Sequence, residues 1–273
     1  MKLSVVVCVR NEEKRLRECL ESIYQNNPDE VILVDGDSTD DTLAIAREFP
    51  CIQIIESKDS SLPRDRQKGI DAARNELVAM VDADHRLRVG DLESLLRDMH
   101  EFKFDIVQSG LVSHVNYGFW DAAEEAAWDL TQNIPGRRNM IGTAPAIYNT
   151  RVFTFARFDD CITSTIDDTD FAYRLSKFPE LHFGVGHTKI RQYHFADFHT
   201  YVKKFQWYGK GDGEFCRKHP ARIHSMLFHL LIRYPFMHSW KAICKGSFRA
   251  VPFFILQGLL RFAGLARYFL KAI

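Results

Sequence analysis

The chain has 273 residues, 46% of them hydrophobic and 26% charged, which suits a folded globular protein and excludes a disordered or fibrous one. Its 36 basic and 36 acidic residues cancel but are unevenly spread: residues 197–273 hold 13 Lys and Arg against three acids, leaving +10 there and −10 over 1–196. That asymmetry points to an anionic partner for the C-terminal part, or to attraction between the two parts of the chain. The cysteines, Cys8, Cys19, Cys51, Cys161, Cys216 and Cys244, form no C-x-x-C pair, which predicts reduced, buried thiols in a cytosolic compartment rather than a disulfide framework or zinc site.

LSVVVCV (3–9) is a continuous β-branched run, the pattern of a strand buried on both faces. Over 11–24, Leu16, Cys19, Leu20 and Ile23 fall on one helical face. EVILVDG (30–36) predicts a second buried strand, and 38–49 a helix, with Ser38 and Asp41 spaced as a loose capping box. Residues 52–57, 64–76 and 77–84 continue as strand, helix and strand. This alternation predicts a mostly parallel sheet flanked by helices, in which ligands bind beyond the carboxyl ends of the strands.

Asp82 and Asp84 close the fourth strand. Alternate residues of a strand point one way, so the pair is expected to face one side. Two carboxylates held together repel unless a positive charge joins them. Mg2+ and Mn2+ favour oxygen ligands, and Mg2+ commonly binds one or two carboxylates together with substrate phosphates. A lone D-x-D is also a common turn; its place in the β-α alternation gives it weight. Beyond it the pattern predicts a helix over 92–102, a strand over 104–115, a helix over 119–130, a loop and short strand over 134–153, and an acid-led helix over 165–178. Residues 201–210 are basic and aromatic, and from about 223 apolar and cationic residues mix in helical blocks.

Five motifs occur in order: VVVCVRNEE, VDGDSTDDT, RQKG (66–69), Asp82-Ala83-Asp84 and DDTDFAYRL (167–175). Together they resemble glycosyltransferase family 2, of the Rossmann-like GT-A fold, over roughly residues 3–210. The resemblance implies transfer of one sugar from a nucleoside-diphosphate donor, a UDP-sugar by family habit, to an acceptor hydroxyl. It implies that Val9, Arg10, Asn11, Glu12 and Asp35 line the nucleotide pocket, with Asp35 on the base. Arg66 would lie against the base or diphosphate, Asp82 would touch the ribose or metal, and Asp84 would hold Mg2+ or Mn2+. His194 would stand near the metal or diphosphate, and Asp168 would be the general base. The residues alone leave choices open. Arg64, Lys68 and Arg74 compete with Arg66, and His187 and His199 with His194. Asp167 and Asp170 share with Asp168 a helix start where acids are favoured anyway.

One base and no enzyme nucleophile imply a single displacement with inversion, through an oxocarbenium-like state. Three departures stand out: Gly36 and Asp37 are exchanged relative to the family's D-D-G-S, Gln67 replaces Asn, and Asp167 replaces Glu. The Q-x-x-R-W motif of processive synthases has only a faint echo in FQWYGKG (205–211), which favours single-sugar transfer over polymer synthesis.

Residues 241–273 mix Lys241, Lys245, Arg249, Arg261, Arg267 and Lys271 with large apolar residues and contain no acid. That composition suits a helix in a membrane interface, anchored by Phe253, Phe254, Phe262, Tyr268 and Phe269. Packing on the rest of the chain or on a second subunit is the other reading. The expected organisation is a GT-A catalytic domain over 1–220 and an amphipathic helical extension over 221–273. The expected location is the cytoplasmic face of a membrane, with an anionic membrane surface as partner and a lipid-linked or cell-surface glycan precursor as acceptor. No uncharged apolar run reaches about 18 residues, so no spanning helix is predicted, and the N-terminal apolar run is too short for a signal peptide. The rival functions are a non-catalytic nucleotide-sugar-binding scaffold and a sugar nucleotidyltransferase. The latter wants a Gly-rich loop after the first strand, and VRNEEKR has no glycine. Nucleic acid is not an expected partner, because the tail is too aromatic and aliphatic for a plain phosphate-binding patch.

Overall fold

A computed structural model describes residues 2–115, 118–142, 145–163, 165–193 and 197–270. The chain divides into two compact units: Met1–Val112 with Ile134–Cys161 and Asp167–Gln192, and Ser113–Asn133 with Ile162–Ile166 and Tyr193–Ile273.

In the first unit β1 (Leu3–Val9) lies between β2 (Glu30–Asp35) and β4 (Leu77–Met80), and β3 (Ile52–Glu56) lies outside β2, all in parallel. Helices α1 (Leu16–Tyr24), α2 (Thr42–Ala46) and α3 (Leu62–Ala72) connect them. The chain then runs through β5 (His85–Arg86), α4 (Asp91–Glu101), β6 (Ile106–Ser113), α5 (Phe119–Thr131), β7 (Gly136–Arg138), β8 (Ala146–Asn149), α6 (Asp167–Leu175) and β9 (Phe183–Gln192). All but α5 build one mixed α/β layer system. Its sheet order is β3-β2-β1-β4-β8-β6-β9-β5, with β7 on β9. The parallel half ends at β4, where β8 pairs antiparallel, Met80 opposite Ala146.

The β-branched runs are buried on both faces because alternate residues enter two different cores. Val5, Val7, Leu33 and Ala79 join Leu16, Cys19, Leu20 and Ile23 of α1 in one. Val6, Ile32, Val78 and Met80 join Ile70 of α3 and Phe171 of α6 in the other.

Two local expectations are corrected. β4 stops at Met80, and Asp82 to His85 form a turn in which the His85 amide donates to Asp82 O at 3.0 Å, so a strand's alternation does not orient the acids. The expected capping box does not form either: Ser38 Oγ accepts from the Asn11 amide, and α2 starts only at Thr42.

The second unit packs α5 with α7 (Phe198–Lys218), α8 (Ile223–Phe228), a π-helical stretch His229–His238, α9 (Ser239–Cys244) and α10 (Ala250–Leu270). Ala123, Ala127, Tyr201, Phe205, Ala242, Phe253 and Phe254 form its core. Phe253 and Phe254, expected as membrane anchors, are therefore interior residues. Helices α7 and α10 cross at Gly209 and Gly264: a side chain at the first would strike Arg261 O, and one at the second Gln206 O. Beside the crossing Arg261 grips buried Asp212 through both guanidinium arms, at 2.8 and 2.6 Å. By length and composition α10 could cross a membrane, a test that buried helices of soluble proteins also pass, and a third of its most apolar window is buried. Arg261 and Arg267 are the charges that break its uncharged run.

Candidate active site

The loops after β1 and β2 are stitched together at the carboxyl edge of the parallel sheet. Val9 ends β1 opposite Asp35, and its carbonyl accepts the Gly36 amide at 2.8 Å. Arg10 is exposed. Asn11 takes a left-handed backbone, φ 56°, which Asn tolerates better than most residues. Its side chain accepts the Thr39 amide at 2.8 Å, and the Glu12 amide donates to Thr42 Oγ1 at 2.8 Å. Asp35 is fully buried. One oxygen accepts the Ser38 amide at 3.0 Å, and Oδ1 has no hydrogen-bond partner among the described residues.

The exchange of Gly36 and Asp37 has a steric cause. A Cβ at position 36 would stand 2.5 Å from Ser60 Oγ and 3.2 Å from Asp65 Oδ2, so a side chain there would have to displace Ser60, which favours glycine in the first place after Asp35. Asp37 then takes the left-handed turn itself, at φ 64°.

Helix α3 separates the basic candidates. Arg66 is buried; it pairs with Asp167 through one guanidinium nitrogen and lies 3.6 Å from Asp82 Oδ1 through the other. Burial opposes its charge, but Asp167, Asp82 and Asp168 more than offset that and hold its pKa above the ordinary arginine value. The competitors are engaged elsewhere: Arg64 with Asp59 O and Asp160, Lys68 with Ser57, Arg74 with Glu30. Gln67, in the family's Asn position, accepts the Phe158 amide at 3.0 Å and donates to Asp71, a structural pairing.

The Asp82–His85 turn gathers potential metal ligands. Asp82, Asp84 and His85 each offer a ligand atom, all within 4.8 Å of one another. The Asp82 amide donates to His85 Nδ1 at 3.0 Å, so that nitrogen carries no proton and is already used. A metal on Nδ1 would have to displace that amide, which leaves the carboxylates as the readier ligands. Gln192, at the end of β9, donates to Asp84 Oδ2 at 2.9 Å. Buried Arg86 clamps the turn by donating to Ala83 O and His85 O at 2.8 and 2.7 Å. Glu12 faces the same charges: burial raises its pKa, Arg15 opposes the rise, and Asp84 and Asp82 add to it. The two carboxylates of Asp82 and Asp84 in a locally acidic setting fit a divalent cation of the magnesium or manganese type.

The start of α6 supplies the last pair. Asp167 is buried against Arg66, whereas Asp168 is only half-buried. Asp168 Oδ1 accepts the Thr169 amide at 2.6 Å, and Oδ2 lies 3.5 Å from where a side chain on Gly142 would begin. Its pKa is pushed up to about 6, first by burial and second by neighbouring Asp167, with Arg66 pulling the other way. Asp170 is committed to Arg174 at 2.8 Å.

Thus Arg66, Asp82, Asp84, Asp167 and Asp168 come together, with Glu12 in electrostatic reach of the two turn acids. His194 lies outside the described residues. Of its competitors, His187 binds Asp98 at 2.8 Å and stacks on Phe102, a structural setting, and His199 is exposed in the second unit. Sequence reasoning missed His85, Arg86 and Gln192. Adjacency in DADH could have flagged the histidine; Gln192, 108 residues from Asp84, carries no such signal.

The profile of glycosyl transferase family 2 matches residues 4–191. The chain belongs to glycosyl transferase family 2. Among curated relatives of this family member, EpsH of Bacillus subtilis (strain 168) is 35% identical over 101 residues, 35% of this chain and 29% of that protein. Glycosyltransferase GlyA of Streptococcus pneumoniae serotype 4 is 28% identical over 181 residues, 58% of this chain and 26% of that protein. The chain therefore matches under a third of the length of these relatives. The structure of S. aureus TarS 1–349 superposes with a TM-score of 0.58 at 18% identity, covering 98% of this chain and 89% of that one. The same TarS fragment in complex with UDP-GlcNAc gives 0.57 at 17% identity. These likenesses establish a GT-A type fold.

Proposed function

We propose that the chain transfers a single sugar from a UDP-sugar to an acceptor hydroxyl, with inversion at the anomeric carbon. The observation that carries this reading is the convergence, at the carboxyl edge of the parallel strands, of the Asp82–Asp84 turn, buried Arg66 and half-buried Asp168. UDP-GlcNAc in the TarS complex supports uridine as the base. Asp35, buried with one unsatisfied carboxylate oxygen, is suited to accept a hydrogen bond from a base N–H. Val9, Arg10, Asn11 and Glu12 line the same edge.

Asp84, with Asp82, would hold Mg2+ or Mn2+, which when bound supplies charge neutralisation for a departing diphosphate. Arg66 contributes a fixed positive charge beside Asp82, preorganised by its pairing with Asp167. Asp168 accepts the proton of the acceptor hydroxyl as it attacks. With its pKa at about 6 it is ionised at neutral pH yet more basic than an ordinary aspartate, the compromise a general base needs. Such a base contributes about 10²–10⁴-fold.

The acceptor we propose is a lipid-linked or cell-surface glycan precursor met at the cytoplasmic face of a membrane. A reducing compartment is part of this proposal; the thiols are not all buried as expected, since Cys51, Cys161 and Cys244 are exposed. The proposed catalytic part, 1–220, includes α5 and α7 of the second unit, and the proposed extension is 221–273.

The test is a thermal-shift panel of UDP-sugars with and without Mn2+, since a ligand that binds only the folded state must raise its stability. Asp84→Ala is expected to abolish the Mn2+-dependent part of the shift. Asp168→Asn is expected to keep the shift and lose turnover. Normal turnover by the asparagine variant would remove Asp168 as the base, and a panel without any shift would remove the donor class.

A further inference from the structure

The run Ile223–Cys244 is amphipathic in an inverted sense. Its inner positions are buried, Leu230 and Ala242 completely and Ser239 nearly so. Its large apolar residues point outward: Phe228, Ile232, Phe236, Trp240 and Ile243 are 42–68% exposed and recur every three or four residues, which places them in one stripe. Exposed apolar residues scattered singly are ordinary; a stripe with three large aromatics marks an interaction surface. Phe248, in the turn before α10, is exposed as well.

The charge around the stripe decides what it meets. Arg233, Lys245 and Arg249 are exposed beside it. From residue 215 to 273 the chain carries ten Lys and Arg and no Asp or Glu. A second copy brought face to face would set these cations against one another without an acid to pair them, which costs association energy. An anionic lipid surface satisfies both parts: it takes Phe236 and Trp240 into the headgroup boundary and attracts the flanking cations.

We infer that the outward face of residues 228–249, rather than α10, is the surface by which this chain docks on anionic membranes. The inference rests on the proposed membrane-side acceptor for its role in the reaction, but not for its test. Phe253 and Phe254 of α10, by contrast, serve the interior.

The full chain is sedimented with vesicles of phosphatidylcholine alone and with vesicles of phosphatidylcholine and phosphatidylglycerol, at low and high salt. Binding is expected only to the anionic vesicles, and weaker at high salt. Phe236→Ser with Trp240→Ser, and separately Lys245→Glu with Arg249→Glu, are each expected to weaken partitioning at least about tenfold. All four positions are exposed, so lipid-free melting should match the parent's. Three results would overturn the inference: no binding by the parent, binding unchanged in either double variant, or a parent dimer that the serine pair dissolves without any vesicle binding. Lipid-free UDP-sugar hydrolysis is measured in parallel. A parent that hydrolyses UDP-sugar but binds no vesicle condemns this surface alone, whereas absent hydrolysis condemns the proposed reaction.

Discussion

Asp168→Asn should make the protein inactive and more heat-stable at the same time. The folded-state pKa of Asp168, about 6, lies above the ordinary 3.8, so folding favours its protonated form. Below about pH 4 the carboxyl is protonated in both folded and unfolded chains and imposes no charge penalty. As pH rises from 3.8 toward 6 the penalty grows, and above about 6 it is complete. At about 1.4 kcal/mol per pH unit the shift corresponds to at most about 3 kcal/mol, and partial exposure of the side chain trims that figure. Asparagine keeps an oxygen for the Thr169 amide and removes the charge. For a chain of this size each kcal/mol moves Tm by roughly 2–4 °C, so the variant should melt several degrees higher at pH 7.5 in chelator-treated buffer. At pH 4 the two proteins should melt together. Parent turnover should fall as pH drops through about 6, in step with protonation of the base. A variant no more stable than the parent at pH 7.5, or a gain that persists at pH 4, would refute the assignment of a penalised carboxylate.

Arg66→Met should cost about 3–5 kcal/mol, because it strands buried Asp167 and leaves Asp82 and Asp168 without their fixed counter-charge; urea unfolding measures it. Gly36→Ala should cost more than 1 kcal/mol by driving Ser60 and Asp65 apart, whereas Asp37→Gly, which relieves a left-handed aspartate, should be neutral or slightly stabilising in the same assay. Arg261→Met should lower Tm by several degrees, since Asp212 is then buried without its bidentate partner.

The parallel half of the fold was legible because it is local. A β-branched run buried on both faces and a helix with Leu16, Cys19, Leu20 and Ile23 on one side are readable from spacing alone, and all four of those residues are buried. Legibility failed where distant contacts set the backbone. Nothing in LVAMVDAD says that the strand ends at Met80; the turn after it is set by His85, and by Arg86, which also reaches Arg15 O and Glu18 across the chain. β9 was not foreseen because FGVGHTKIRQ has two glycines and no clean alternation; pairing with β5 and β7 makes it a strand. The capping reading of Ser38 failed for a related reason, since Asn11, 27 residues away, takes the hydroxyl.

Several buried polar atoms at the candidate site lack hydrogen-bond partners among the described residues, and this bears on what the site is for. Asp35 Oδ1, Asp65 Oδ1 and Arg66 Nε are buried without hydrogen-bond partners among the described residues, each at a cost of about 1–3 kcal/mol. Asp35 and Asp65 lie at the β2 edge about Gly36, and Arg66 follows Asp65 on α3. Asp212, Asp170 and Asp105, away from the site, are each gripped by an arginine. Acids left incompletely paired beside carboxylates that repel one another instead favour ligands that bring donors and positive charge. A nucleotide base offers N–H groups, and a divalent cation offers charge. Stabilisation by UDP and Mn2+ together should exceed the sum of each alone, because a cation held by Asp82 and Asp84 would supply charge neutralisation for the diphosphate; strictly additive shifts would mean that the two do not share a site.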